Sequence, residues 1–142
     1  MILLDTNVLS EFIRPRPDGA VVRWLDSQSA HELATTTITV FELLRGVALL
    51  PDGERREHLG RKVGAQIAAL GDRTYGLDAT AAAHAAQISA SRERSGNPIG
   101  AQDALIAGIA RSRGCVLATR NTRDFFDSGL TLVDPWQAEP RR

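Results

Sequence analysis

Three acidic residues stand where an acid is hard to keep. Asp5 ends the apolar run Met1-Ile2-Leu3-Leu4, Glu42 lies in a largely apolar helical stretch, and Asp103 is embedded in Ile99-Gly100-Ala101-Gln102-Asp103-Ala104-Leu105-Ile106-Ala107. A carboxylate in such surroundings must neutralise, find hydrogen bonds or bind a cation. At helical spacing Asp103 has Ile99, Ile106 and Ala107 as neighbours, so no adjacent cation offsets it. A further polar cluster, Thr119-Arg120-Asn121-Thr122-Arg123-Asp124, follows another apolar run and supplies Asn121 as a neutral oxygen donor and Asp124 as a fourth charge. Carboxylates gathered in one place raise one another's pKa, so an ionised cluster implies a divalent cation. An all-oxygen donor set suits magnesium or manganese rather than zinc. Chemistry of that kind is hydrolysis of phosphodiesters, with Asp103 or Glu42 taking the proton of the attacking water. Arg111, Arg120 and Arg123, with Arg113, flank the last cluster as candidate phosphate contacts, and Thr6, Asn7 and Thr119 support the acids.

Each acid also has a structural reading. Asp5 is a helix cap for the segment opened by Thr6 and Asn7. Glu42 belongs to a solvated stripe with Thr39 and Arg45, Asp103 is a favourable charge at a helix amino terminus after Pro98, and Asn121 to Asp124 form a turn leading into Phe125. Co-occurrence favours chemistry, because acids at the carboxyl ends of parallel strands point into one crevice. His31, His58 and His84 lack ligand-like spacing and are expected to be structural or surface residues. No glycine-rich phosphate loop or flanked nucleophilic serine or cysteine is present. Trp24, Trp136, Phe125 and Phe126 are scattered and read as core or interface rather than a base-stacking platform.

The elements that would position these residues alternate. A strand over 1–4 precedes a helix over 8–13, a loop over 14–19 rich in proline, and a helix over 20–27. A strand over 33–36, with Thr37 as cap, leads to helices over 38–50 and 54–70, which form a helical hairpin insertion. A short strand over 74–77 and a helix from Asp78 to position 90 close at Ser95-Gly96-Asn97-Pro98. A helix over 99–113, a strand over 115–119, a loop over 120–128 and a strand over 130–133 complete the pattern, and the tail from Asp134 is irregular. Strands alternating with helices predict an α/β fold, a parallel sheet with helices on both faces.

The 142 residues suit a single domain, 1–142. Seventeen basic and seventeen acidic residues balance, so attraction to a polyanion must come from local patches. Cys115 is the only cysteine, which excludes an intramolecular disulfide framework and fits a reducing compartment. No apolar stretch approaches the roughly 20 residues of a membrane span, and the amino terminus lacks a signal-peptide core. A cytoplasmic protein is expected.

Leu3-Leu4-Asp5-Thr6-Asn7, Glu42-Leu43-Leu44-Arg45-Gly46, Asp103-Ala104-Leu105-Ile106-Ala107 and Leu117-Ala118-Thr119-Arg120-Asn121 with Asp124-Phe125, in that order and spacing, resemble a PIN-domain ribonuclease of the VapC toxin type. The ending Val133-Asp134-Pro135-Trp136 resembles the FitB branch of that group. The resemblance implies an α/β/α sandwich and an endoribonuclease dependent on Mg2+ or Mn2+, the toxin of a toxin–antitoxin pair. It implies a small DNA-binding antitoxin that masks the site and carries the complex to operon DNA, and a homodimer of this chain. Asp5 and Asp103 would be the principal metal ligands, with Glu42 supporting. Asn121 stands where many PIN domains carry an acid, which leaves Asn121 or Asp124 to complete the site. An aspartate after a first strand also resembles haloacid-dehalogenase-type phosphatases, but Asn7 occupies the position of their second aspartate. A PIN-fold module that docks antitoxin or RNA without turnover is the alternative from another class.

Overall fold

The computed structural model describes residues 1–139; positions 140–142, the end of the expected domain and tail, lie outside the described residues. Five parallel strands form one sheet, in the order β3-β2-β1-β4-β5: β1 (Ile2–Leu4), β2 (Leu33–Thr36), β3 (Thr74–Tyr75), β4 (Val116–Ala118) and β5 (Leu132–Val133). The strands are short and their central members carry side chains buried on both faces. Ile2 and Leu4 pack into one layer with helices α1 (Thr6–Phe12), α2 (Gly19–Asp26), α3 (Thr37–Ala48) and α4 (Glu54–Leu70). Leu3 points the other way, into a second layer with α5 (Ala79–Arg94) and α6 (Ala101–Ser112). That alternation is the period of two expected of a strand buried between helical layers.

The sheet order has a functional consequence. The chain leaves β1 toward β2 and β3 on one side, and returns to pair β4 on the other, with Leu4 beside Ala118. The topological switch point therefore lies between the carboxyl ends of β1 and β4, where open α/β sheets hold ligands. Asp5 and Thr119, the residues that follow those two strands, are both buried there.

Several expected boundaries move. Thr36, not Thr37, caps α3: its backbone is extended and its hydroxyl accepts from the Thr39 amide at 3.0 Å. Helix α6 starts at Ala101 rather than 99, because Pro98 and the extended Gly100 hold the preceding segment out of the helix. Helix α5 runs on to Arg94, past position 90, and the strands expected over 74–77, 115–119 and 130–133 shrink to two, three and two residues. Asp78, expected at the start of α5, caps it, accepting from Ala81 N–H at 2.8 Å.

Helices α5 and α6 approach closely at Gly108. A methyl group added there would sit 2.5 Å from the Ala81 carbonyl and 2.6 Å from the Ala85 side chain. This contact seats α6, and with it Asp103 in its first turn, against the sheet.

Candidate active site

Asp5 is the best-fixed acid. One carboxylate oxygen accepts from the Thr6 amide at 2.8 Å, so the residue does cap α1; the other accepts from the Thr119 hydroxyl at 2.7 Å. A carboxylate has about four acceptor positions, so these two bonds orient it and leave lone pairs free. Burial pushes its pKa up, against the lowering effect of the Thr119 and Thr6 hydrogen bonds, and the charges of Glu42 and Asp124 add to the rise.

Thr119 is the hub beneath it. While its hydroxyl donates to Asp5, it accepts from the Asn121 amide at 3.1 Å and the Asn7 side-chain amide at 3.4 Å. The Asn7 side-chain oxygen Oδ1 in turn accepts from the Arg120 backbone amide at 3.3 Å. The carboxyl ends of β1 and β4 are thus tied together by side chains. Asn7 is occupied in that tie, which leaves no second acid for a phosphatase of the dehalogenase type.

Glu42 comes from α3 and is held by Thr6, whose hydroxyl lies 3.0 Å from Glu42 Oε1 and 3.0 Å from the Thr39 hydroxyl. Glu42 does not pair with Arg45 among the described residues, where the salt bridges are Arg14–Glu11 and Arg56–Asp52. Asp103, half-buried in the first turn of α6, has its pKa pushed up to about 6, first by burial and then by the charges of Asp5 and Asp124. Helix-terminal charge alone would have the opposite effect.

Asp5, Thr6, Asn7, Glu42, Asp103, Arg120 and Asn121 all line one cavity of about 470 Å³. Asp124 and Arg123 line an adjoining cavity that shares Arg120 and Asn121 with the first. Arg111 is a correction: its guanidinium donates to His84 Nδ1 at 2.8 Å, to Gln87 and to the Ser128 carbonyl at 3.3 Å, clamping α5 to α6 away from the cavity. Arg113 lies over the Tyr75 ring, 3.9 Å from its centroid, and is likewise elsewhere.

Residues absent from the sequence reading also line the site. Glu11, only 7 % exposed, accepts from the Asp18 amide at 2.9 Å and pairs with Arg14 at 3.1 Å. Asn7 and Glu11 lie one turn apart on α1 and Arg14 follows just past its end, a polar line that periodicity alone could have revealed. Trp136, expected in the core or an interface, instead forms another wall of the site, with the Arg120 guanidinium 5.0 Å from its ring centroid.

The donors fit a hard cation: the acids are oxygen donors that repel one another across one cavity at a sheet switch point. Among the described residues they do not close into a ready-made set of three ligands.

Comparison with known proteins agrees with this geometry. The chain is 39% identical to the VapC ribonuclease Y4jK of Sinorhizobium fredii, over 96% of this chain and 99% of that one. It is 40% identical to the toxin FitB of Neisseria gonorrhoeae, over 96% and 99% respectively. A solved structure of FitAB bound to an IR36 DNA fragment superposes with a TM-score of 0.91 at 38% identity, covering 98% of each chain. The PIN domain family model matches residues 2–128, and the chain belongs to the PIN-domain family.

Proposed function

We propose that this chain is a metal-dependent endoribonuclease, the toxin of a toxin–antitoxin pair. The observation that carries the reading is the convergence of Asp5, Glu42 and Asp103 on one cavity at the switch point, with the pKa of both aspartates raised. Asp5, Asp103 and Glu42 would hold Mg2+ or Mn2+, with Asn121 as the neutral donor nearest the cavity and Asp124 behind it. Such an ion, when bound, neutralises the phosphodiester and lowers the pKa of water.

The chain's own groups supply the rest. Thr119 and the Thr6 amide fix the direction of the Asp5 carboxylate. Thr6 fixes one oxygen of Glu42 and leaves the other to receive a proton from the attacking water. Water adds at phosphorus as its proton passes to Glu42, the bridging P–O bond breaks, and the departing oxygen takes up a proton from solvent. Arg120, on the cavity wall, and Arg123, beside it, face the phosphates of the RNA.

The partners follow from the same reading: a small DNA-binding antitoxin that covers this site, operon DNA reached through it, and a second copy of this chain. We assign the protein to the cytoplasm as a single domain; no helix among the described residues is long and apolar enough to cross a membrane.

The test is cleavage of a mixed single-stranded RNA pool with magnesium, manganese or EDTA. Wild type is compared with folded Asp5→Asn and Asp103→Asn variants. Metal-dependent cutting absent from both variants is expected. Equal behaviour of all three proteins would remove these acids from catalysis and favour the non-catalytic module.

A further inference from the structure

A second polar cavity, of about 520 Å³, opens on the far side of the 3-10 turn Thr122–Phe125. Its walls include Arg92 from the end of α5, Asn97, Arg123, Asp124 and Phe126. It is continuous with the carboxylate site through shared walls: Arg123 and Asp124 also line the intermediate cavity, which shares Arg120 and Asn121 with the first.

Two features there lack an explanation in folding. Phe126 is 67 % exposed, although its neighbour Phe125 is fully in the core. The turn that presents it is pinned: the buried Ser128 hydroxyl bonds the Phe125 carbonyl, Arg111 bonds the Ser128 carbonyl, and Asp127 adopts a left-handed conformation, φ 64°. An aromatic ring presented to water by a fixed turn is a ready surface for stacking. The Arg92 guanidinium, the second feature, makes one hydrogen bond among the described residues, to the Phe126 carbonyl at 3.3 Å; its Nε is buried without a partner, and no carboxylate pairs with it there. Arg123 is exposed and likewise unpaired there. Two guanidiniums against the one acid Asp124 leave the cavity positive.

We infer that this cavity is a subsite for a nucleotide of single-stranded RNA away from the scissile bond, with Arg92 and Arg123 holding a phosphate and Phe126 stacking on the base. The inference rests on the ribonuclease reading for its substrate. An arginine pair suits a phosphate, an exposed aromatic suits any base, and the shared walls give the strand a path from one cavity to the other.

The test measures binding of fluorescein-labelled mixed-sequence RNAs, about twelve and about four nucleotides long, to Asp103→Asn protein with magnesium. Arg92→Ala and Phe126→Ala in that background are each expected to weaken the longer RNA about tenfold and the shorter one much less. Arg92→Ala should also reduce the slope of log K against log salt by about 0.7, one phosphate contact on a single strand. Phe126→Trp, which keeps a stacking face, should retain affinity where Phe126→Ala does not. Unchanged affinity and salt slope in folded Arg92→Ala and Phe126→Ala variants overturn the inference, as does no measurable RNA binding by the parent protein. Loss of self-association with RNA binding intact would make the cavity a protein interface and also overturn it. If wild type fails to cleave while Arg92-dependent binding persists, the nuclease reading fails and the subsite stands; cleavage with Arg92-independent binding gives the reverse.

Discussion

Replacing Asp103 by asparagine should stabilise the metal-free protein while abolishing its response to metal. The Asp103 carboxyl is pushed from 3.8 up to about 6 by burial and by the charges of Asp5 and Asp124. Wholly withheld from water, that rise would be worth ~3 kcal/mol at ~1.4 kcal/mol per pH unit. The side chain is partly exposed, and screening by solvent reduces the figure to about 1 kcal/mol. Asparagine keeps the shape without the charge, so Asp103→Asn in EDTA at neutral pH should melt about 3 °C above wild type. Because the folded pKa is raised, the contribution favours folding fully below 3.8 and is lost as pH rises through about 6. Wild type in EDTA should therefore lose relative stability across that window, and the variant should lose less. With metal at about a hundred times its Kd, wild type should gain ~2.7 kcal/mol and the variant little of it. Differential scanning fluorimetry across pH, with EDTA and with magnesium, reads both effects. A variant several degrees less stable than wild type in EDTA would refute the reasoning, because it would make Asp103 a stabilising helix-terminal charge.

Thr119→Val removes the donor to Asp5 and two acceptor contacts, and should destabilise by about 2 kcal/mol and abolish cleavage, with Thr119→Ser restoring both; urea melts and RNA cleavage check this. Gly108→Ala forces a methyl into the Ala81 carbonyl and should lower stability by about 2 kcal/mol or more, read from the urea midpoint. Arg111→Ala should lose about 1 to 2 kcal/mol of stability by freeing α5 from α6, yet cleave RNA at the wild-type rate per folded molecule.

The alternation of apolar runs and helical periods made the fold class legible, because both depend on local pattern, and so did the acids, since Asp5 and Asp103 interrupt that pattern. What the pattern could not carry was direction in space. Arg111 and Arg120 are equally plausible phosphate ligands in a linear reading, and only helix rotation turns Arg111 onto His84 while Arg120 lines the cavity. Trp136 and Glu11 reach the site through the returning tail and the rotation of α1, neither of which is encoded by spacing to the acids. Phe126 was expected in the core or an interface; its exposure follows from the turn that sends Phe125 inward.

The capping and catalytic readings of Asp5 were set against each other in sequence, and the structure shows why they need not compete. A cap needs one oxygen directed at an amide, and the Thr6 N–H supplies that geometry. A metal ligand needs a carboxylate that is oriented before the ion arrives, because an unfixed one must lose rotamer freedom on binding. Capping α1 and accepting from Thr119 together provide that orientation, at the edge where β1 and β4 separate. The strain falls on the charge rather than the geometry, which is why the pKa of Asp5 stays raised despite two hydrogen bonds. A buried acid that is well bonded and still resists ionisation is poised for a cation, so the structural role of Asp5 is part of the argument for its chemistry.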